Sequence, residues 1–338
     1  MRAILARPAG GFGLTEVEPP LIGPGELLLE VKACGLCGTD LTKLAQPDSA
    51  GVILGHELSG VVRQVGPAVE RFRTGDHVVA AHHVPCGGCW ACRHGHDSMC
   101  QQFKATNLDP GGFAQFVRLS APHVAGVTFP LPAGMPFEVA AFTEPLACAV
   151  RAVDRAEIQA GDRIGVAGGG GMGLLIAQVL RARGADPVVV EISEARLALA
   201  RSLGLQASVN PSRQDVARAV HELTGGVGLD GMILTVVSKA ILAQAQRLVR
   251  AGARLTIFAG PGDGPELPVD MADLYHRELS VSAAYSASPA ALAEALDLLA
   301  TDRVRVIPLI THRLPLGAFE EGVRLQRDGR ATKVIFQP

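Results

Sequence analysis

RIGVAGGGGMGLLIAQVLRARGADPVVVE, residues 163–191, decides the fold. Arg163 to Ala167 is a short apolar run of strand length. It passes directly into Gly168-Gly169-Gly170-Gly171-Met172-Gly173, then into a helical stretch from Leu174 to Arg183, then into a second strand from Pro187 to Val190 that ends at Glu191. Gly168, Gly170 and Gly173 satisfy G-x-G-x-x-G, with Gly171 and Met172 between the last two. The pattern follows a strand, opens a helix and is followed by an acid about 20 residues on, the context that a dinucleotide fingerprint requires. The first glycine permits the tight turn, the second lets backbone approach a pyrophosphate, and the third lets helix and strand pack closely. The phosphates are expected on the helix N-terminus, where free N–H groups and the helix dipole favour anions. Glu191 would accept hydrogen bonds from both ribose hydroxyls and repel a 2′-phosphate, which favours NAD over NADP. Arg196 either binds a 2′-phosphate, packs on the adenosine or pairs with Glu191.

Outward from this stretch, strand and helix continue to alternate. Strands are expected near 207–209, 231–236, 253–259 and 279–284, and helices near 193–203, 212–223 and 239–250. That makes a doubly wound α/β sheet. Segments 260–270 and 285–289 read as loops, followed by helices over 289–300 and 315–328 and a last strand over 332–336. Residues 1 to about 135 differ. They are rich in Gly, Pro and β-branched residues, and Leu27–Ala33, Leu58–Val65 and His77–Ala81 read as strands between turn signals. A chain of 338 residues is expected to hold two domains. Its 48% hydrophobic and 19% charged composition supports large cores. The formal net charge of -2, without a basic block, argues against a nucleic-acid partner. The N-terminal residues contain no signal-like apolar core, and no apolar run reaches the length of a bilayer span. A soluble, cytoplasmic protein with no membrane partner is expected, and its seven cysteines point to metal ligands or free thiols.

CGGCWACRHGHDSMC, residues 86–100, places Cys86, Cys89, Cys92 and Cys100 at C-x2-C-x2-C-x7-C. Four thiolates so spaced close a tetrahedral site around one zinc ion and leave no position for substrate, so the site is structural. A cluster of reduced thiols or an iron–sulfur site is the competing reading, though the spacing fits the common cluster patterns poorly. His94 and His96 within the loop, and His82 and His83 before it, are read as solvated loop residues.

A second constellation lies in CGLCGTDLTKLAQPDSAGVILGHE, residues 34–57, which brings Cys37, Thr39 and Asp40 together with His56 and Glu57. Thiolate, imidazole and carboxylate suit a borderline ion such as zinc. Met135 to Arg155 reads as a helix entry, a break at Glu144-Pro145 and a second helix. Glu144 stands at a helix start among apolar neighbours. It is either a metal-facing carboxylate or an exposed acid favoured by the helix dipole.

Together these residues resemble the zinc-containing medium-chain dehydrogenases and reductases, which include alcohol, sorbitol and threonine dehydrogenases. Gly55-His56-Glu57 with Gly60, Gly66 and Val69 matches the family's zinc signature, and Gly35-Leu36-Cys37-Gly38-Thr39-Asp40 its first ligand segment. The four-Cys loop matches its structural-zinc lobe, and Glu144-Pro145-Leu146 the third-ligand segment of the polyol branch. The resemblance implies a discontinuous GroES-like β-barrel catalytic domain, residues 1–146 and 286–338. The Rossmann domain, 147–285, is inserted within it, with the active site in the cleft. It implies one catalytic and one structural zinc per chain, with Cys37, His56 and Glu144 as catalytic ligands and Glu57 as an alternative or exchanging one. Asp40 would orient His56, Thr39 would contact the substrate hydroxyl and start the proton path, and Lys333 would touch the cofactor pyrophosphate. Thr42 stands where many relatives have a histidine that passes the proton on. The implied reaction is zinc-assisted hydride transfer from a small secondary alcohol, a polyol or sugar alcohol, to NAD. L-Threonine oxidation is the second expectation. A zinc-free NADPH quinone or enone reductase is disfavoured by the metal ligands and by Glu191. A homo-oligomer, dimer or tetramer, is implied.

Overall fold

The computed structural model describes residues 1–7, 11–46, 50–260 and 269–338, so most of the loop read over 260–270 lies outside the described residues. In chain order the strands are β1 Arg2–Ala6, β2 Phe12–Glu16, β3 Leu27–Gly35, β4 Glu57–Val65, β5 His77–Ala80, β6 Phe116–Leu119, β7 Thr128–Pro130 and β8 Arg163–Ala167. They continue as β9 Asp186–Val190, β10 Ser208–Val209, β11 Leu229–Leu234, β12 Val249–Ile257, β13 Ser280–Ala283, β14 Ile310–Pro315 and β15 Lys333–Gln337. The chain divides into two compact units. The first is Met1–Ala147, Ala287–Thr301 and Leu309–Pro338, and the second Cys148–Ser286 with Asp302–Pro308. Residues 302–308 thus lie with the second unit, within a segment expected to return whole to the first.

The first unit is built on a seven-stranded sheet ordered β14-β15-β3-β4-β5-β7, with β6 paired on β3. β3 is antiparallel to β4, β6 and β15. Its inward residues Leu27, Leu29, Val31 and Cys34 are buried with Leu58, Val62, Val117 and Phe336. Phe113, Phe319 and Phe336 meet edge-on or tilted with ring centroids 4.9 to 5.6 Å apart, so the last strand and the preceding helix, Phe319–Arg327, are anchored in the same core. Such aromatic contacts add to the area they bury. The pairing of β15 with β3 sets Ile335 opposite Gly35, and that of β3 with β4 sets Gly35 opposite Glu57. Three distant chain segments therefore meet at one end of β3.

The second unit is a six-stranded parallel sheet ordered β10-β9-β8-β11-β12-β13. Its strands read as near-continuous apolar runs because both faces are covered: Val188, Val189, Met232, Ile233, Leu234 and Leu255 are all buried. The strand order reverses direction between β8 and β11, the switch point at which such sheets bind ligands beyond the carboxyl ends of their strands. Helix Gly171–Ala182 follows β8 directly. Glu144-Pro145 is not a break. The turn comes at 141–142, and both residues sit in the first turn of a continuous helix, Thr143–Ala156, where proline's missing N–H costs nothing. Several short helices, Gly38–Leu44, Gln101–Ala105, Ala121–Gly126 and Met271–His276 among them, have no counterpart in the sequence reading. Each spans under two turns, too short to display a periodic apolar face. Among the described residues no helix is long and apolar enough to cross a membrane.

Candidate metal centre and nucleotide site

Cys37 is the N-cap of helix Gly38–Leu44 and is separated from the end of β3 by Leu36 alone. Its ligand atom lies within 4.8 Å of those of His56 and Glu57, and these three form one of two groups able to hold a metal ion among the described residues. The cluster is tied together by Asp40, which is fully enclosed in the helix's first turn. Its Oδ2 accepts the Cys37 N–H at 3.0 Å, and its Oδ1 accepts the Gly55 N–H at 3.3 Å and lies 3.3 Å from His56 Nδ1. With Nδ1 so engaged, Nε2 is left for an ion, the arrangement that orients metal-ligating imidazoles. Burial opposes both charges, but the pairing prevails. Asp40 is held below the usual carboxylate range by His56 and by the Cys37 and Gly55 amides, and Asp40 and Cys37 hold His56 well above the usual imidazole range. A buried imidazole so surrounded by anionic groups suits a cation.

Glu57 is buried at the start of β4 and ion-paired with Lys333 Nζ, which also donates to the Leu36 carbonyl at 3.3 Å. Burial pushes the Lys333 ammonium down, but Glu57, Cys37 and Glu144 hold it above the ordinary lysine range. The pair fits only because residue 35 is glycine: a Cβ there would collide with the Glu57 carboxylate and come within 2.9 Å of Lys333 Cε. Gly55, with φ at +95°, turns the chain where a Cβ would lie 2.7 Å from the Phe113 amide.

Several expected residues are placed differently. Glu144 is buried in the same unit but is not in the three-residue cluster; its Oε1 lies 3.9 Å from His82 Nδ1. Glu57 takes the third place in that cluster because the β3–β4 register sets its backbone opposite Gly35, two residues from Cys37. Lys333, expected on a pyrophosphate, has its ammonium enclosed by Glu57 and Leu36 instead. Thr39 is exposed on the helix, and the Thr42 hydroxyl donates back to the Gly38 carbonyl at 3.3 Å. His82 and His83 are half-buried and packed, not open loop residues. The ring of His82 lies against His56 at 4.7 Å and against His83 at 3.9 Å, and His83 contacts Phe103. Burial first, then neighbouring positive groups, pushes His82 well below the usual imidazole range, and His83 falls to about 4. The only sequence signal for this was a histidine doublet directly after a strand.

Cys86, Cys89, Cys92 and Cys100 bring their sulfurs within 4.8 Å of one another. The Cys89–Cys92 sulfurs are 3.5 Å apart, the Cys89 N–H donates to Cys86 Sγ at 3.3 Å and the Cys86 N–H donates to Cys100 Sγ at 3.4 Å. A tetrahedral zinc–thiolate site requires sulfurs about 3.8 Å apart, so the four fit one ion. The thiols are not equivalent. Burial raises Cys92, reinforced by Cys89, to about 12, whereas amides of Cys86 and Phe103 overcome burial and draw Cys100 down to about 6. Four thiolates this close repel one another unless a cation joins them. His94 is exposed and stacks on the exposed Trp90 ring at 4.4 Å; His96 stacks on its ring at 6.2 Å.

In the second unit, the turn after β8 has Gly168 at φ +96°. A Cβ on Gly173 would collide with the Gly168 carbonyl, whereas one on Gly170, the helix N-cap, would meet nothing within 4 Å. Gly173 therefore allows close packing, and Gly170 leaves room for a ligand, with Gly171 and Met172 opening the helix. Glu191, buried at the end of β9, accepts the Gly169 N–H through Oε2 and the Ser193 N–H through Oε1, both at 2.8 Å. Arg196 Nη1 lies 3.4 Å from Glu191 Oε2. The donor set and the open cradle fit a dinucleotide.

Residues 23–131 match the alcohol dehydrogenase GroES-like domain and residues 171–301 the zinc-binding dehydrogenase domain. The chain is 34% identical over 363 residues to an L-threonine 3-dehydrogenase of Thermococcus kodakarensis, covering 100% of this chain and 98% of the relative. It is 32% identical over 342 residues to a sorbitol dehydrogenase of Halalkalibacterium halodurans, covering 97% and 96%. Among solved structures, one described as a zinc-binding dehydrogenase of Sinorhizobium meliloti 1021, bound to NADP, superimposes with a TM-score of 0.90 at 29% identity, covering 100% of this chain and 99% of that one. With this fold, these two cysteine-containing clusters and these matches along its whole length, the chain belongs to the zinc-containing medium-chain dehydrogenases.

Proposed function

We propose that the protein oxidises a small secondary alcohol to a ketone, passing the hydride to NAD, with one catalytic and one structural zinc per chain. The observation that carries this reading is Asp40 binding both Cys37 and His56 beside Glu57, a buried carboxylate that caps the helix and at the same time fixes the imidazole of a thiolate–imidazole–carboxylate group. Cys37, His56 and Glu57 would hold the catalytic ion, with Glu144 nearby as an exchanging or water-holding carboxylate, and the four cysteines the structural one. When bound, the catalytic zinc supplies a Lewis acid that makes the alcohol proton easier to lose, and the nicotinamide accepts the hydride by its own chemistry. The chain's residues hold these groups in place. Asp40 fixes the His56 tautomer, Lys333 balances Glu57, and Thr39 begins the route by which the proton leaves. Thr42, bonded to its own helix, offers no histidine to continue it.

Glu191 supports NAD: its carboxylate is pinned by two amides where a ribose would come, and Arg196 is occupied with it. The NADP-bound neighbour makes a direct comparison of the two cofactors the necessary test. A polyol or sugar alcohol is the first substrate reading. L-Threonine is the second, favoured by the threonine dehydrogenase named above. The edge strand β13 is largely exposed, as are Val281 and Tyr285, and an open apolar edge invites pairing. A homo-oligomer, dimer or tetramer, is the corresponding proposal, in a cytoplasm that keeps the seven thiols reduced. The test is formation of reduced cofactor from sorbitol, xylitol, 2,3-butanediol and L-threonine with NAD and with NADP, alongside metal analysis. Two zinc ions per chain and NAD-linked turnover are expected. A metal-free active enzyme would sink the reading.

A further inference from the structure

His82 lies beside the metal-site residues yet has no part in holding them. Its side chain is 12% exposed, and its Nδ1 is buried without a hydrogen-bond partner among the described residues. The ring is fixed between those of His56 and His83, and the backbone carbonyl accepts from His123 Nε2 at 3.0 Å, while His123 Nδ1 meets the Ser120 hydroxyl at 2.7 Å. A polar nitrogen held this firmly and left unsatisfied is costly to the fold unless a ligand completes it. Across from it stands Glu144 Oε1 at 3.9 Å. That is too long for a direct hydrogen bond and short enough for one polar atom to bridge.

We propose that His82 is a specificity-determining residue whose ring nitrogen, opposite the Glu144 carboxylate, binds a second polar group on the carbon next to the reacting carbinol. The inference rests on the secondary-alcohol reading above. A neighbouring hydroxyl can donate to Glu144 and accept from the ring N–H; a neighbouring ammonium can donate to Glu144 and to the lone pair of the neutral ring. The His82 ring stands 4.7 Å from that of the candidate ligand His56, within reach of a group on the carbon next to one held at that ligand. An unsubstituted secondary alcohol would enter the same place and leave the buried His82 Nδ1 unsatisfied, which is how a site built for a hydrogen bond rejects an analogue lacking it.

The test compares kcat/KM on 2-butanol, 2,3-butanediol and L-threonine for the wild type, His82→Phe and His82→Gln, with zinc content and NADH-binding fluorescence measured on each. The wild type is expected to favour a substituted substrate over 2-butanol by about 100-fold or more. Preference for the diol assigns a hydroxyl to the bridge; preference for threonine assigns an amine. His82→Phe is expected to shrink that ratio by about 10- to 100-fold, chiefly through KM, and His82→Gln to restore part of it. A wild type that does not discriminate, a Phe variant with the wild-type ratio, a Gln variant no better than Phe, or loss of one zinc in both variants overturns the proposal. If the wild type turns over none of the three while secondary alcohols of other kinds are oxidised, only this inference falls. If it oxidises no alcohol at all, the underlying reading falls with it.

Discussion

The two candidate metal clusters of the first unit are built in opposite ways. The lobe at 86–100 uses four like ligands from 15 consecutive positions and little else: Cys86 and Trp90 are exposed, and the amides that reach the sulfurs come from the same loop and from Phe103 just after it. The cluster of Cys37, His56 and Glu57 uses three unlike ligands from the ends of two strands. It is embedded in a network of Asp40, Lys333 and Gly35, the last of which has no side chain. A site that saturates its ion needs only ligand count. A site that leaves room for substrate must obtain rigidity from surrounding charges and packing. The comparison teaches that the chemistry of the second cluster depends on residues that touch no ion.

The sharpest way to break this contrast is Cys37→Ser. Activity is expected to fall at least about 1,000-fold, because several kcal/mol of charge stabilisation are lost, while NADH binding in the second unit persists in a fluorescence titration. A variant turning over alcohols at the normal rate would end the assignment. Cys92→Ser is expected to remove one zinc and cost several kcal/mol of stability by denaturant titration. Its early effect is on the unfolding midpoint, not on the rate per folded molecule; an unchanged midpoint and zinc content would mean the lobe needs no ion. Asp40→Asn tests the supporting network itself. It keeps the shape but weakens the charge facing His56, and a loss of about 10- to 100-fold in affinity for the catalytic zinc is expected in a chelator competition. At the small end, His94→Ala breaks only an exposed stack on Trp90 and is expected to change stability by no more than about 0.5 kcal/mol. A larger change would show that the lobe, too, relies on its surroundings.

The legibility of the two clusters in the sequence follows the same division. Cys86, Cys89, Cys92 and Cys100 were readable from spacing because the loop folds upon itself. The turn at Gly168, Gly170 and Gly173 and the acid at Glu191 were readable because strand, turn and helix are adjacent in the chain. The role of Asp40 toward His56 followed from resemblance, and the structure shows the contact. The pairing of Glu57 with Lys333, the approach of Glu144 to His82 and the packing of His82 on His56 were not readable. Each depends on register or on packing between segments far apart. The short helices at 38–44 and 271–276 escaped because so few residues carry no periodicity.

By itself the sequence determined the order of the parts: a β-rich unit, a four-thiol lobe and a doubly wound α/β sheet with its glycine turn; the return of the last segment to the first unit came only from the resemblance. It did so because hydrophobic periodicity, turn residues and short ligand spacings are local properties. Only the tertiary structure decided that Lys333 meets Leu36 and Glu57. These residues lie 297 positions apart in the case of Leu36. They come together because β15 pairs with β3 and β3 with β4. Strand pairing is chosen by the burial of whole sheet faces, and no local pattern around Lys333 encodes which carboxylate it will find.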